Sequence, residues 1–390
     1  MQRFIIGGII GLVFGALFGA SIVAPRLNHG DIKQQNTSAK ALNLESMKPS
    51  YSTASESHSL DNTMNDEPGT RVHWNIVSAF PSNIPVIGSI PSNLGEQIAI
   101  VSNNDISFVF HEPGTLVPTN ELSDAVKTSV VDAALSAPAF DMDEDPALGL
   151  FGFVPFGPTP NEMLAWIYDG DGLKYLTSIY NKRKLHPIPC GMISAEAAGW
   201  FRQEISSISD ISKLRVQIDG LAARTLRAVG AEIVTLKPAQ VPGALKMGII
   251  DAAGSSIPSM NHSLELRHSA EYYYFPGWHH QSALMTMLVR SEQWEALTIT
   301  QQAQISAVCG DNIRSSLVKG GVNQFESLKK ISGSGTNIQR LPKEVLTALS
   351  EAWQVIAMTE AKNNKKFAEV WESLLNFRRD YNILDELGSM

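Results

Sequence analysis

The chain has 390 residues, enough for two packed domains and a targeting segment, because single hydrophobic cores usually stop growing below this length. Hydrophobic residues make up 44% of the chain and charged residues 18%, so most of it can bury enough apolar surface to fold. The formal net charge is -8 and no block of Lys and Arg occurs, which excludes a nucleic-acid partner.

An uncharged apolar run extends over residues 4–24, directly after Arg3. Such a run indicates export, and this one is also long enough to span a bilayer as a helix. Small residues recur in it at a spacing that places them on one helix face, namely Gly7, Gly11, Gly15 and Gly19. For residues 1–25 we therefore favour an uncleaved signal anchor over a cleaved signal peptide. The expected location is the periplasm, with a tether to the inner membrane.

Residues 26–70 are polar and rich in Ser, Asn, Asp and Glu, with no hydrophobic periodicity. This composition is typical of a flexible linker. We therefore expect the folded part of the chain to begin near Arg71.

After Arg71, short apolar segments alternate with amphipathic ones, a pattern typical of an α/β protein. Two groups of elements follow from it. The first comprises strands Val72–Ser78 and Ile106–His111 and helices 91–100 and 120–129, the last one opened by an Asn cap. The second comprises strands 214–218, 232–236 and 249–252 and helices 221–229 and 238–247, ended by Gly230 and Gly248. Two such groups imply two sheets, whose strand ends face a ligand-binding crevice.

Cysteine occurs at Cys190 and Cys309 alone, too few for a disulfide framework and without the spacing of a zinc or redox motif. We expect two isolated, partly buried thiols rather than one long-range disulfide.

Three segments carry a family resemblance: FGFVPFG at 151–157, AGWFRQEI at 198–205 and YYYFPGW at 272–278. With them, the chain from about residue 72 onward resembles the DctP-type solute-binding proteins of tripartite ATP-independent periplasmic (TRAP) transporters. It is most similar to the branch that binds 2-oxo and 2-hydroxy monocarboxylates.

The resemblance implies a periplasmic-binding-protein (Venus-flytrap) fold of two α/β domains, with crossing strands and a long connecting helix. Residues 71–196 would form the first part of ligand-binding domain I, 197–287 domain II, and 288–390 a return to domain I followed by C-terminal helices. Segment 366–387 is helical enough for the helix exchange by which members of the branch form homodimers.

The implied function is a receptor that delivers a small organic acid to integral-membrane permease subunits. An enzyme is not expected, because the sequence lacks a GxSxG elbow, an HExxH motif, a P-loop and a dinucleotide fingerprint. The alternative is a membrane-tethered ligand sensor of the same fold that is not coupled to transport.

The resemblance also suggests ligand-binding residues. Arg202 matches the residue that pairs with the ligand carboxylate, a role that suits the planar donor fork of guanidinium. Trp200 lies beside it in the motif. Trp278 would form an apolar wall or belong to the domain core. Of His279 and His280, at most one should enter the cleft, because neighbours in an extended segment point to opposite sides.

The sequence departs from the branch where a Glu–Trp pair helps to bind a ligand-bridging metal cation. Gly254 and Ser255 stand there, so the carboxylate is lost. This loss makes binding of the metal cation, which is the one candidate cofactor, doubtful. Asn161 and Glu162 lie where the branch has a Gln that serves the metal and the ligand. Glu162 would either restore a carboxylate or be a solvated helix residue, and we expect the latter.

Overall fold

The structure, a computed structural model, describes residues 71–254, 257–263 and 266–388. The signal segment predicted for residues 1–25 and the linker predicted for 26–70 lie outside these ranges. Within them, no helix is both long enough and apolar enough to cross a membrane.

Helices and strands alternate through most of the chain, and the elements, in chain order, are β1 (Val72–Ser78), α1 (Ile90–Val101), β2 (Ile106–His111), α2 (Leu122–Lys127), β3 (Ala133–Ser136), α3 (Pro160–Tyr168), α4 (Gly172–Asn181), β4 (Leu185–Ile193), β5 (Gly199–Phe201), α5 (Ile208–Ile211), β6 (Arg215–Gln217), α6 (Gly220–Ala228), β7 (Glu232–Ile233), α7 (Val241–Met247), β8 (Ala252–Ala253), α8 (Pro258–Ser263), β9 (Tyr272–Tyr274), β10 (Ala283–Arg290), α9 (Ser291–Glu295), α10 (Ile299–Gly333), β11 (Asn337–Gln339), α11 (Lys343–Asn363) and α12 (Lys365–Gly388).

The first sheet has five strands in the order β2-β1-β3-β10-β4. β1 pairs in parallel with β2 and β3, whereas β10 runs antiparallel to both β3 and β4. Strand β4 is buried along nearly its whole length, as expected for a strand covered on both faces. We call this sheet and the helices packed on it the first lobe.

The second sheet has six strands in the order β11-β9-β5-β8-β6-β7. Its strands are only two or three residues long, and they unite segments that lie far apart in the sequence. Two apolar cores flank it, one containing Ala222 of α6 and Tyr274 of β9, the other containing Trp200 of β5 and Tyr273 of β9. We call this sheet and its helices the second lobe.

The chain passes between the lobes repeatedly. Extended connections run from β4 to β5 and from β9 to β10. The 35-residue helix α10 buries Ile305 in the core of the first lobe and Ile331 in a core of the second. Helix α11 likewise buries Leu349 in the second lobe and Trp353 in the first. These are the crossing segments and the long connecting helix of the expected fold.

Most helices and strands predicted after Arg71 are present, but their first and last residues differ from the predicted ones. The Asn cap predicted for the helix over 120–129 is absent, since α2 begins at Leu122 and no side chain caps it. Gly248 adopts the left-handed conformation that ends α7, as expected of a C-terminal glycine. Strand β11 lies in the second sheet, so the segment after residue 288 contributes to both lobes.

The expectation of two isolated thiols was wrong. Cys190 of β4 and Cys309 of α10 form a disulfide, although they are 119 residues apart in the sequence. Helix α10 packs across β4, and the Asn312 side chain donates a hydrogen bond of 2.6 Å to the carbonyl of Cys190. Residue spacing alone cannot show that a helix so distant in sequence covers this strand.

Candidate functional site

A cleft lies between the two lobes and encloses a cavity of about 860 Å³. This size falls within the range usual for small-molecule sites. The first lobe contributes loops that follow β1, β3 and β4, and the second lobe contributes the end of β6 and one face of α6. The strand ends of both sheets therefore face the cavity, as expected for open α/β sheets.

Helix α6 presents a continuous face to the cavity. Gly220, Ala223, Arg224 and Arg227 all line it, and their spacing of three, four and seven residues places them on one side of a helix. Arg224 is anchored by a 2.7 Å hydrogen bond from its Nη1 to Glu360 of α11. Arg227 is exposed and has no ion-pair partner among the described residues. The face thus offers guanidinium donors to the cavity.

The opposite wall, in the first lobe, is aromatic. The ring centroids of Phe80 and Phe140 are 5.7 Å apart, and those of Phe140 and Phe153 are 5.8 Å apart. Phe140 is 45% exposed and lies on the cavity wall. A ligand between the lobes would therefore meet charged donors on one side and apolar surface on the other.

A third group combines a carboxylate with two imidazoles. Glu196, His279 and His280 line the cavity, and His280 Nδ1 donates to Glu196 Oε2 over 2.8 Å. His279 is 1% exposed. Its burial, with a smaller contribution from His280, lowers the pKa of His279 well below its usual value, so the ring is neutral at physiological pH.

The expectation that only one of the two histidines enters the cleft was wrong. His279 and His280 belong to an irregular segment with bends at residues 278 and 279, not to a strand. The alternation of side chains in extended chain therefore does not apply, and both residues line the cavity.

Gly254 also lines the cavity, at the end of β8. A Cβ atom added there would lie 2.6 Å from side-chain atoms of Ile218, so the packing of β6 against β8 leaves no room for a larger residue. Ser255 lies outside the described residues.

Arg202 does not line this cavity. It follows β5 in a separate surface pocket that also contains Arg267 and Glu271. Its Nη1 lies 3.7 Å from Asp251, whose carboxylate is already bound by two guanidinium nitrogens of Arg215, at 2.8 and 2.9 Å. These contacts lower the pKa of Asp251 and keep it ionised. The carboxylate-binding role of Arg202 stays a prediction.

Both predicted tryptophans belong to cores of the second lobe. Trp200 is fully buried beside Tyr273, at a centroid distance of 4.7 Å. Trp278 is 4% exposed and packs on Phe156, at 5.7 Å, so the core alternative describes its position.

Asn161 is exposed on α3 and does not line the cavity. The expectation that Glu162 is solvated was wrong, because it is buried and its Oε1 accepts from Arg378 Nε at 3.0 Å. Its other oxygen accepts from the backbone of Thr159 at the start of α3. The positions of the branch's metal ligands therefore do not fit a hard cation, since Gly254 has no side chain and the Glu162 carboxylate is occupied elsewhere.

Sequence reasoning missed Arg224, Arg227 and Glu196. The two arginines could have been found, because helix 221–229 was predicted and residues three apart share one helix face. Glu196 gives no such signal. It reaches the cleft because its segment hydrogen-bonds with the segment after β9, through Glu196 N to the carbonyl of His280 and Gly277 N to the carbonyl of Glu196.

Two lobes, crossing segments and a lined cleft define a bacterial solute-binding protein of the periplasmic type. The chain belongs to the family described as bacterial extracellular solute-binding protein, family 7 (DctP), whose model matches residues 77–363. Members of this family are receptors for solutes rather than enzymes. The predicted family and fold are confirmed.

Individual relatives and solved structures agree with this family assignment. The chain is 27% identical over 341 residues to a monocarboxylate 2-oxoacid-binding periplasmic protein of Nostoc, covering 86% of this chain and 93% of that protein. A TRAP solute-binding protein from Bordetella bronchiseptica, described with calcium and picolinate in its active site, matches with a TM-score of 0.76 and 27% identity, over 82% and 98% of the two chains. A Colwellia psychrerythraea protein with calcium and pyruvate has the same fold, at TM-score 0.76 and 24% identity, over 81% and 97%.

Proposed function

We propose that this protein is the extracytoplasmic receptor of a TRAP-type transporter and that it binds a small organic acid in the cleft for delivery to membrane permease subunits. The observation that carries the ligand class is the α6 face with Arg224 and Arg227 on the cavity wall. Guanidinium stays charged at any physiological pH and binds a carboxylate through two parallel hydrogen bonds.

The relatives support this ligand class. The Nostoc protein is named for 2-oxoacid monocarboxylates, and the Bordetella structure contains picolinate, which is also a carboxylate. The aromatic wall formed by Phe80, Phe140 and Phe153 suits the carbon skeleton of such an acid. An acid held by α6 and covered by these rings would contact both lobes at once. It would therefore favour a conformation in which the lobes are close together.

Two features support a periplasmic location. The disulfide between Cys190 and Cys309 is of a kind that persists in oxidising compartments. The apolar run over residues 4–24 supports export and, if retained, a tether to the inner membrane. Membership of the family supports delivery of the acid to a permease.

The test begins with a thermal-shift screen of the protein against mono- and dicarboxylates, because a ligand that binds the native state raises the melting temperature. Titration calorimetry with the best acid then compares wild type with Arg227→Ala, Arg227→Lys and Arg202→Ala. Loss of a desolvated charged partner costs about 2–5 kcal/mol, so Arg227→Ala should weaken binding at least about tenfold. Arg227→Lys should also bind poorly, because an ammonium cannot form the two parallel bonds.

Arg202→Ala serves as the matched comparison, since its guanidinium lies outside the cavity. Under the proposal it binds the acid as wild type does. Loss of binding in Arg202→Ala with normal binding in Arg227→Ala would instead place the anchor where the family motif predicts it. If no organic acid raises the melting temperature, the proposed ligand class is wrong.

A further inference from the structure

The cleft contains a cluster of metal-binding side chains that the receptor function does not require. Glu196, His279 and His280 each offer one ligand atom, and these atoms all lie within 4.8 Å of one another. Metal–nitrogen and metal–oxygen bonds of about 2.0–2.2 Å would need only small side-chain shifts to close on one ion.

The backbone holds the three residues together before any ion arrives. Glu196 N donates to the carbonyl of His280 at 3.0 Å, and Gly277 N donates to the carbonyl of Glu196 at 2.8 Å. These two hydrogen bonds join the segment after β4 to the segment after β9. The ion would therefore meet a largely pre-formed site.

Aromatic neighbours fix both imidazole rings. Phe153 stacks on His280 with a centroid distance of 4.2 Å, and Trp278 contacts His279 edge-on at 5.4 Å. Rings held in this way lose little freedom when they bind an ion, which lowers the entropic cost of coordination.

The hydrogen bonding of the cluster is incomplete. His279 Nδ1 and His280 Nε2 are buried and have no hydrogen-bond partner within the described part of the chain. The other two ring nitrogens lie beside the carboxylate, with His280 Nδ1 at 2.8 Å and His279 Nε2 at 3.9 Å from Glu196 Oε2. These are the ring atoms that an ion shared with Glu196 would contact.

We propose that Glu196, His279 and His280 form a site for a divalent transition-metal ion, such as Zn²⁺, in the wall of the cleft. Two imidazole nitrogens and one carboxylate oxygen are a donor set that suits Zn²⁺ and its neighbours in the first row. Ca²⁺ and Na⁺ prefer oxygen ligands, so this site differs in kind from one for the calcium found in the relatives' structures. Three protein ligands leave one coordination position of a tetrahedral ion open.

The proposal does not depend on the identity of the organic acid, and its test uses metal ions alone. The full chain, stripped with a chelator, is titrated with ZnCl₂ by calorimetry, and Co²⁺ is added separately while visible absorption is recorded. We expect one Zn²⁺ site and the intense absorption of tetrahedral Co²⁺. Titration with CaCl₂ should give no binding at this cluster.

Glu196→Gln and His280→Gln keep side-chain shape while removing a ligand, and both positions retain some solvent access. Each should weaken Zn²⁺ binding at least about tenfold, since even loss of an outer-shell partner commonly costs 10- to 100-fold. His73→Gln is the control, because His73 is exposed and lies outside the cleft. Circular dichroism melts show whether each variant is folded.

Wild-type protein that binds neither Zn²⁺ nor Co²⁺ overturns the proposal, whatever the variants do. So does a site that both variants retain with wild-type affinity, because the ion would then lie elsewhere. Failure here leaves the receptor function intact, since binding of organic acids is measured without added metal.

Discussion

Glu162 and Arg378 join the first turn of α3 to the last helix of the chain. Arg378 donates from Nε to Glu162 and from Nη1 and Nη2 to the carbonyls of Phe156 and Gly157, at 3.0, 2.8 and 3.3 Å. The Glu162 side chain is 4% exposed. Removing one member of such a pair leaves a buried charge without a partner, which costs more than the pair itself contributes.

Arg378→Ala should therefore lower the free energy of unfolding by about 3–5 kcal/mol. Arg379→Ala is the matched control, because Arg379 is 71% exposed and its contact with Asp380 lies at the surface. That variant should change stability by less than about 0.5 kcal/mol. Urea unfolding followed by circular dichroism compares the two, and equal midpoints would show that Glu162 does not depend on Arg378.

At the scale of single residues, the sequence indicates which side chains could bind a ligand better than it indicates where those side chains point. Arg202 stands in a family motif, yet its guanidinium lies beside Asp251 at the surface. Arg227 stands in no motif, yet helix geometry places it on the cavity wall. Glu162 was recognised as a carboxylate of interest, but its partner lies 216 residues further along the chain. Local patterns carry no information on partners so distant in sequence.

At the scale of elements, α10 and β4 form a central contact of the first lobe. Ser316 Oγ accepts from the backbone of Met192 at 3.1 Å, and the disulfide joins the same two elements about two helix turns away. Many strands and helices of the described residues could be predicted, because hydrophobic periodicity and a terminating glycine such as Gly248 are local signals. The register of α10 on β4, and with it the disulfide, could not be.

Replacement of both cysteines by alanine should lower the free energy of unfolding by about 2–5 kcal/mol, because a cross-link over a long loop restricts the unfolded chain. The double variant also loses side-chain volume in a buried contact, so wild type is compared with and without reductant. Stability should fall in the reduced wild type and stay constant in the variant under the same conditions. Unchanged stability in wild type, with two free thiols confirmed by titration, would contradict this expectation.

At the scale of the whole molecule, the described residues form a unit with its own cores in both lobes. The first strand, β1, begins at Val72, and the domain boundary near Arg71 stays a prediction. The two-lobed architecture could be predicted because alternating elements and a family resemblance agreed. The short strands of the second sheet could not be bounded, since two or three residues give too little periodicity.

A protein that begins at residue 71 should accordingly fold and bind the same acid as the full chain, with similar affinity. Circular dichroism reports the fold, and the thermal-shift assay reports ligand binding. An unfolded truncated protein would show that residues before 71 contribute to the core and would move the domain boundary.

The repeated passage of the chain between the lobes has a consequence for how the cleft could change over evolution. Each lobe is assembled from separated stretches of the gene, and α10 and α11 belong partly to both. A single recombination event therefore cannot exchange one complete lobe for that of a relative. Substitutions at the cavity wall, which includes the α6 arginines and the aromatic wall, offer a direct route to new ligand preferences in this protein.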